Sequence, residues 1–307
     1  MAHQFLFPNE TLIPANNIPH PIPYQGSKRN LATDILSYCP PKIGRLVEPF
    51  AGSAAISLAA ASCDRAQEFW INDAHKPLID LWLEIIERPD QLSDKYESLW
   101  KNQLGREREY YDVVRSKFNK THQSECFLYL LARCVKAAIR YNSSGGFNNS
   151  PDNRRKGATP ETMRQRITGA SQLLRHRTKV TSLDYKDVLL GCTRDDLIYM
   201  DPPYQGVCGS RDNRYLPKID HDGFCETLRG LNKKECLYLV SYDGRTGTKT
   251  FGKRLPDHLE LVHLEIHAGR STQATLLGRN DDTYESLYLS PGLVKLMGLD
   301  RKAKKTH

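Results

Sequence analysis

Arg45-Leu46-Val47-Glu48-Pro49-Phe50-Ala51-Gly52-Ser53 is the stretch on which the architecture turns. It opens as a short apolar run suited to a buried strand, and Gly52 breaks that run in a turn. A helix of small residues is expected over 53–61. A second apolar run, Glu68-Phe69-Trp70-Ile71-Asn72-Asp73, reads as the next strand, and residues 76–87 as the next helix. Strands that alternate with helices call for a parallel, doubly wound sheet, because parallel neighbours need a crossover between them.

Ligands of such sheets lie beyond the carboxyl ends of the strands. Gly52 lets the backbone come close to a nucleoside-like ligand. Asp73 stands roughly 20 residues further on, where an acid in a βαβ unit accepts hydrogen bonds from ribose hydroxyls. The chain has no G-x-x-x-x-G-K-[ST] loop, which argues against ATP as that ligand.

Working outward, residues 1–23 are rich in Pro and Asn and read as an extended arm. Residues 28–39 read as a helix stopped by Pro40-Pro41. The rhythm changes between 88 and 178. Helical periodicity covers 91–104, 107–118 and 124–139 with no strand between them. A polar loop over 142–158 follows, and Thr159-Pro160 then supplies an N-cap and first-turn proline for a helix over 161–175. Strands resume at 179–183, 197–200, 236–241, 258–267 and 285–290. The expected organisation is a split α/β domain, 1–87 and 179–307. It holds a mostly helical insert, 88–178, with a hairpin loop over 140–158.

The chain of 307 residues is 39% hydrophobic and 26% charged, enough for a full core, and its net charge of +8 favours a polyanionic partner. Its eight cysteines include no C-x-x-C pair and no accompanying His cluster, so reduced thiols in a cytoplasmic protein without a metal site are expected. No leader and no apolar run near 18 residues is seen, so no membrane association is expected.

Asp201-Pro202-Pro203-Tyr204 follows the strand at 197–200. A proline-terminated turn is the plain reading of such a sequence. The chemical reading is that two prolines fix the backbone so that Asp201 and the Pro202 carbonyl face one amine, with Tyr204 as a flat surface for a base. An exocyclic base amine is a poor nucleophile because its lone pair is conjugated with the ring. Two acceptors on its hydrogens free that lone pair for an electrophilic methyl group, and Asp201 stabilises the charge that develops. A stacked base must first be flipped out of the duplex.

At these residues the chain resembles the Dam-related, D12-class N6-adenine-specific DNA methyltransferases, over roughly residues 23 to 292. Pro23-Tyr24-Gln25-Gly26-Ser27-Lys28 is similar to the family's W-x-G-G-K stretch. Glu48 to Gly52 matches its cofactor loop, Asn72-Asp73 its ribose-binding acid, and Asp184-Tyr185 its D-F/Y pair. Arg140-Tyr141-Asn142-Ser143-Ser144-Gly145-Gly146-Phe147-Asn148 reproduces the family's R-Y-N-x-x-G-x-F-N hairpin with unchanged spacing.

The resemblance implies a Rossmann-like S-adenosylmethionine-dependent methyltransferase sheet with an inserted helical DNA-recognition domain. It implies Asp201, Pro202 and Tyr204 as catalytic residues, and Tyr24, Lys28, Glu48, Phe50, Gly52, Asp73, Asp184 and Tyr185 as the S-adenosylmethionine site. Double-stranded DNA is then the partner, met by Arg140, Tyr141, Asn142, Phe147, Asn148, Arg154 and Arg155. A cognate restriction endonuclease is left open. Cytosine-N4 methylation and a catalytically inactive DNA-binding homologue are the alternatives to adenine-N6 methylation.

Three departures stand out. Ala54 replaces a second glycine of the cofactor loop, Gly26-Ser27 replaces Gly-Gly, and the residues after Asn148 lack the P-F/Y-G continuation of GATC-recognising members. Phe147 reads equally as a wedge for the base stack or as part of a small local core, and the arginines from 164 to 177 as DNA contacts or a solvated helix face. Arg270 and Ser271 are further candidates for phosphate contact. The lone histidines His75, His221 and His263 are not read as catalytic bases.

Overall fold

The apolar run around Val47 forms strand β1 (Ile43–Glu48), and the small-residue segment forms helix α2 (Ala55–Ser62), preceded by α1 (Ala32–Leu36). The computed structural model describes residues 18–203, 219–247, 249–270 and 282–299. Strand β2 (Ala66–Asn72) follows, then five helices in succession: α3 (Lys76–Glu87), α4 (Pro89–Asn102), α5 (Glu107–Thr121), α6 (Ser124–Arg133) and α7 (Pro160–Leu174). Alternation resumes with β3 (Thr178–Thr181), α8 (Tyr185–Leu190), β4 (Asp196–Met200), α9 (His221–Lys233) and β5 (Leu237–Thr246). Three further strands, β6 (Lys249–Phe251), β7 (Val262–Arg270) and β8 (Asp282–Leu289), precede helix α10 (Pro291–Leu296).

The strands join in the order β3-β2-β1-β4-β5-β8-β7, with β6 paired to β5. From β3 to β5 all neighbours are parallel, whereas β8 runs antiparallel to both β5 and β7. This is a Rossmann-like α/β sheet. The chain winds outward from β1 through β2 to β3 and then returns to place β4 on the other side of β1. The carboxyl ends of β1 and β4 therefore flank a switch point, where a crevice opens between diverging crossovers.

Side-chain alternation builds a layer on each face. Leu46, Leu197 and Tyr199 enter one core with residues of α1 to α7, while Val47, Ile198 and Met200 enter a second with α8 and α9. Strand β4 is buried at all five positions, as a central parallel strand covered on both faces should be. The core residues of α4 to α7, such as Tyr96, Phe118 and Ile167, belong to the same cluster as Leu46 and Leu58.

Three expected elements differ. The single helix over 28–39 is a 3-10 turn (Lys28–Asn30) followed by the short α1. The helix expected over 124–139 ends at Arg133, because the loop at 149–152 takes over its backbone groups. Asp152 N donates to Arg133 O (2.7 Å) and Val135 N donates to Ser150 O (3.0 Å), and Lys136 and Ala137 then turn left-handed (φ 59 and 50). The strand expected over 258–267 begins only at Val262, since a 3-10 turn at Asp257–Leu259 and the left-handed Glu260 (φ 55) come first. Helices α8 and α9 fill the resumed βα rhythm, in which only the strands had expected bounds.

Candidate active site

Each strand flanking the switch point delivers residues to the crevice from its carboxyl end. After β1 the loop through Gly52 is clamped on three sides. Ala51 N donates to Asn72 O (2.8 Å), Gly52 N donates to Asp73 Oδ2 (3.0 Å), and Trp82 Nε1 donates to Gly52 O (2.9 Å). Gly52 has φ +50, and a Cβ there would meet the Tyr24 ring at 3.0 Å, so any other residue would be strained and crowded. Ala54 is also left-handed (φ 46, ψ 43). The loop thus keeps a glycine-like backbone despite the alanine, at a strain of about 1 kcal/mol.

Glu48 Oε2 accepts from Ser57 N (2.8 Å), satisfying an otherwise unpaired N–H in the first turn of α2. Burial pushes its carboxyl up to about 7. Asp73 is buried and accepts from His75 N (2.9 Å) as well as from Gly52 N; burial raises its pKa while these two donors oppose the rise. Neighbouring Asn72 ties three strand ends together. Its Nδ2 donates to Pro49 O and Leu183 O, and its Oδ1 accepts from Thr181 Oγ1 and Leu183 N.

After β3, Asp184 caps α8 by accepting from Lys186 N (2.9 Å). Tyr185 then lies 5.1 Å from Phe50, centroid to centroid, and packs edge-on against Phe224. After β4, Lys28 Nζ lies 2.9 Å from Asp201 Oδ1 and 3.2 Å from Glu285 Oε2. Burial pulls the Lys28 ammonium down, but the Asp201 and Glu285 carboxylates outweigh it and hold the pKa above its ordinary value.

One cavity of about 430 Å³ is lined by both sets of residues, within the size range of small-ligand sites. Tyr24, Lys28, Glu48, Phe50, Gly52, Asp73, Asp184, Tyr185, Asp201 and Pro202 all line it, so the structure brings together motifs spread over nearly 180 residues (24 to 202). Tyr204 and Ser271 lie outside the described residues.

The R-Y-N hairpin is a tight turn. Tyr141 bridges Phe147, Asn142 N donates to Gly146 O (2.8 Å), and Asn142 Oδ1 accepts from Ser144 N and Gly146 N. Phe147 is 1% exposed and meets Phe118, Phe127 and Tyr141 edge-on. Of its two readings the local core is the one observed. A wedge role for Phe147 is corrected accordingly, because the ring is committed to the base of the hairpin. Asn142 and Asn148 are exposed at the tip, and Arg140 is half-buried. Arg154 and Arg155 reach outward, their side chains 88% and 77% exposed, from a turn held by Asp152.

Arg164 on α7 pairs with Asp94 and Glu97, and just beyond the helix Arg175 pairs with Glu87 and Arg177 with Asp64.

Sequence reasoning missed several residues. His75 caps α3 by accepting from Leu78 N at Nδ1, and its Nε2 lies 2.6 Å from the Tyr141 hydroxyl, linking the Asp73 turn to the hairpin. Asn149 is buried and donates to Val135 O and Ala138 O, fixing the loop root. A lone histidine and the second asparagine of a pair carry no spacing signal. Glu285 lies on β8, far in sequence from every motif, and only the sheet order brings it to Lys28.

The chain's residues 24–256 match the D12 class N6 adenine-specific DNA methyltransferase family. It is similar to the retron Ec67 DNA adenine methylase of Escherichia coli, with 27% identity over 260 residues, 82% of this chain and 87% of that protein. It is likewise similar to the type II methyltransferase M.CviBI of Paramecium bursaria Chlorella virus NC1A, 24% identical over 80% of this chain and 97% of that protein. The DNA N-6-adenine-methyltransferase of Escherichia phage P1 is 27% identical over 190 residues, 59% of this chain but only 23% of that longer protein. The sheet and the crevice at its switch point define a methyltransferase fold. The chain belongs to the D12 class N6 adenine-specific DNA methyltransferase family, and its reaction is methylation of adenine in DNA. Adenine is therefore favoured over cytosine-N4 as the target. Among the described residues no helix is long and apolar enough to cross a membrane, and no group of three or more His, Cys, Asp or Glu residues is placed to hold a metal.

Proposed function

We propose that the protein transfers a methyl group from S-adenosylmethionine to the N6 of an adenine flipped out of duplex DNA, with Asp201 and Pro202 as the acceptors on that amine. The observation that carries this reading is one cavity lined both by the aromatic and acidic residues Phe50, Tyr185, Asp73 and Asp184 and by the Lys28–Asp201 pair. The residues present fit the cofactor. Phe50 and Tyr185 offer a flanking aromatic pair for its adenine, Asp184 an acceptor beside them, and Asp73 a carboxylate for the ribose hydroxyls. Tyr24, Gly52 and Glu48 also line the cavity. When bound, S-adenosylmethionine supplies a methyl group made electrophilic by its sulfonium.

The chain's own residues do the rest. Asp201 accepts one hydrogen of the amine and the Pro202 carbonyl the other, which localises the nitrogen lone pair. The positive charge that grows on N6 as its bond to carbon forms is met by the Asp201 carboxylate. One proton then leaves N6, through Asp201 or to water, and the methylated amine is neutral again. Tyr204 is proposed as the stacking surface for the flipped base.

In the same reading residues 88–178 are the target-recognition segment, and the hairpin over 140–158 meets DNA. Arg140, Tyr141, Asn142 and Asn148 shape and present its tip, and Arg154 and Arg155 contact phosphates or base edges. Their surface ion pairs with Asp152 are weak enough to be exchanged for phosphate. Replacing both arginines by alanine is expected to lower DNA affinity several-fold and to reduce the slope of log K against log salt by about 1 to 2. An unchanged slope in fluorescence anisotropy titrations would put both side chains off the DNA.

The reading as a whole is tested by incubating the protein with labelled S-adenosylmethionine and DNA free of modified adenine, then mapping modified bases by long-read sequencing. N6-methyladenine at one recurrent sequence is the expected result. Label in cytosine, or none in DNA, overturns it.

A further inference from the structure

We infer that Glu285 is a positioning residue for catalysis, setting the charge and orientation of Asp201 through Lys28; the inference rests on the proposed role of Asp201. Lys28 Nζ lies between two carboxylates, 2.9 Å from Asp201 Oδ1 and 3.2 Å from Glu285 Oε2, with Gly26 O at 3.5 Å as a third acceptor. The Lys28 side chain is 5% exposed, so its charge has little water to share. The three charges come from three places in the chain. The 3-10 turn supplies Lys28, β4 leads into Asp201, and β8, joined to β4 only through β5, supplies Glu285.

The arithmetic of charge explains why a second carboxylate is useful. Asp201 and Lys28 alone form a neutral pair, and an aspartate bound fully to an ammonium is a weak acceptor for an amine hydrogen. With Glu285 the triad carries a net charge of −1. The ammonium is then shared, Asp201 Oδ1 is anchored, and Oδ2 keeps enough electron density to accept from N6. The second carboxylate also favours the positive charge growing on nitrogen. Among the described residues, the charged and titratable groups that act on Asp201 or on Lys28 include Glu285, Glu48 on β1, Tyr24 and Tyr199.

The sign of the effect follows. Glu285 raises the pKa of Asp201, directly by like charge and indirectly by drawing Lys28 away. Removing it by Glu285→Gln takes one carboxylate from Lys28, strengthens the hold of the ammonium on Asp201 and lowers that pKa. The acid limb of the kcat–pH profile should move to lower pH by about one unit, while the plateau of kcat falls about tenfold or more as the carboxylate weakens. KM for DNA should be unchanged. Glu285→Asp, which keeps the charge but not the reach to Lys28, should recover most of kcat, with the limb displaced less than in Glu285→Gln.

An independent readout needs no turnover. Carbon-13 NMR titration of the Asp201 carboxyl in the cofactor-free protein should show the same downward shift in Glu285→Gln and a smaller one in Glu285→Asp. A buried counter-ion with a purely structural role would lower the melting temperature and leave both titrations where they are in the parent protein, and that result overturns the inference. If Glu285→Gln does not fold, Glu285→Asp decides: a longer reach to Lys28 should leave the titration measurably displaced toward lower pH, and coincidence with the parent protein in both kcat and titration overturns the proposal. Should Asp201 prove dispensable for methylation, the catalytic reading fails, while the NMR titration still reports whether Glu285 controls Asp201.

Discussion

Asp201→Ala is expected to lower the single-turnover rate of methyl transfer by a factor of about 10³ or more, with cofactor and DNA affinities changed only a few-fold. The carboxylate interacts most strongly with the amine at the moment its nitrogen becomes positive, so its loss falls on kcat and not on ground-state binding. Asp201 is paired with Lys28 and is proposed to meet the amine, not the cofactor, which is why cofactor affinity should survive. The substitution leaves Lys28 buried with Glu285 as a remaining carboxylate partner, so the fold keeps a counter-charge at that position. Asp201→Asn refines the result. Its amide preserves shape and one acceptor but removes the charge, and it should be nearly as inactive as alanine. Rapid-quench assays with labelled cofactor, alongside calorimetry for the cofactor and anisotropy for DNA, separate the terms. Near-native turnover in both variants would remove Asp201 from the chemistry.

Most of what positions this residue was legible before any coordinates. The βα rhythm around Val47 and Phe69, the glycine turn at Gly52 and the acid at Asp73 are local signals with local physical causes. Each ends at a strand's carboxyl terminus, so a parallel sheet brings them to one edge without further information. Order at longer range was not legible. That β8 inserts antiparallel between β5 and β7, placing Glu285 beside Lys28, depends on pairing across the whole sheet. Hairpin chemistry was half legible. The pattern from Arg140 to Asn148 marked the turn, but whether Phe147 points out or in is decided by Phe118 and Phe127 on α5 and α6, which the motif does not contain. The over-long helix at 124–139 has a similar origin. Its apolar periodicity continues past Arg133, and only the competing bonds from the 149–152 loop end it.

The second large effect is expected at Asp73. Its two carboxylate oxygens each accept a backbone N–H within the fold, Oδ2 from Gly52 and Oδ1 from His75, and the side chain also lines the cavity. One residue thus fixes the cofactor loop and offers lone pairs to a ribose. Asp73→Asn keeps the volume but turns one oxygen into an NH₂ that faces a backbone donor, leaving at least one N–H without an acceptor. That alone costs about 1 to 3 kcal/mol. Losing charge-assisted hydrogen bonds to the two ribose hydroxyls removes about as much again from binding, so the Kd for S-adenosylmethionine should rise about 100-fold. The melting temperature should fall by several degrees at the same time, because the Gly52 turn loses its clamp. The two effects part company in the presence of cofactor. In the parent protein saturating S-adenosylmethionine should raise the melting temperature through its binding to the native state, whereas in Asp73→Asn the same concentration should give little shift. A full ligand-induced shift in the variant would mean that Asp73 holds only the loop, and that the ribose is bound elsewhere along the cavity.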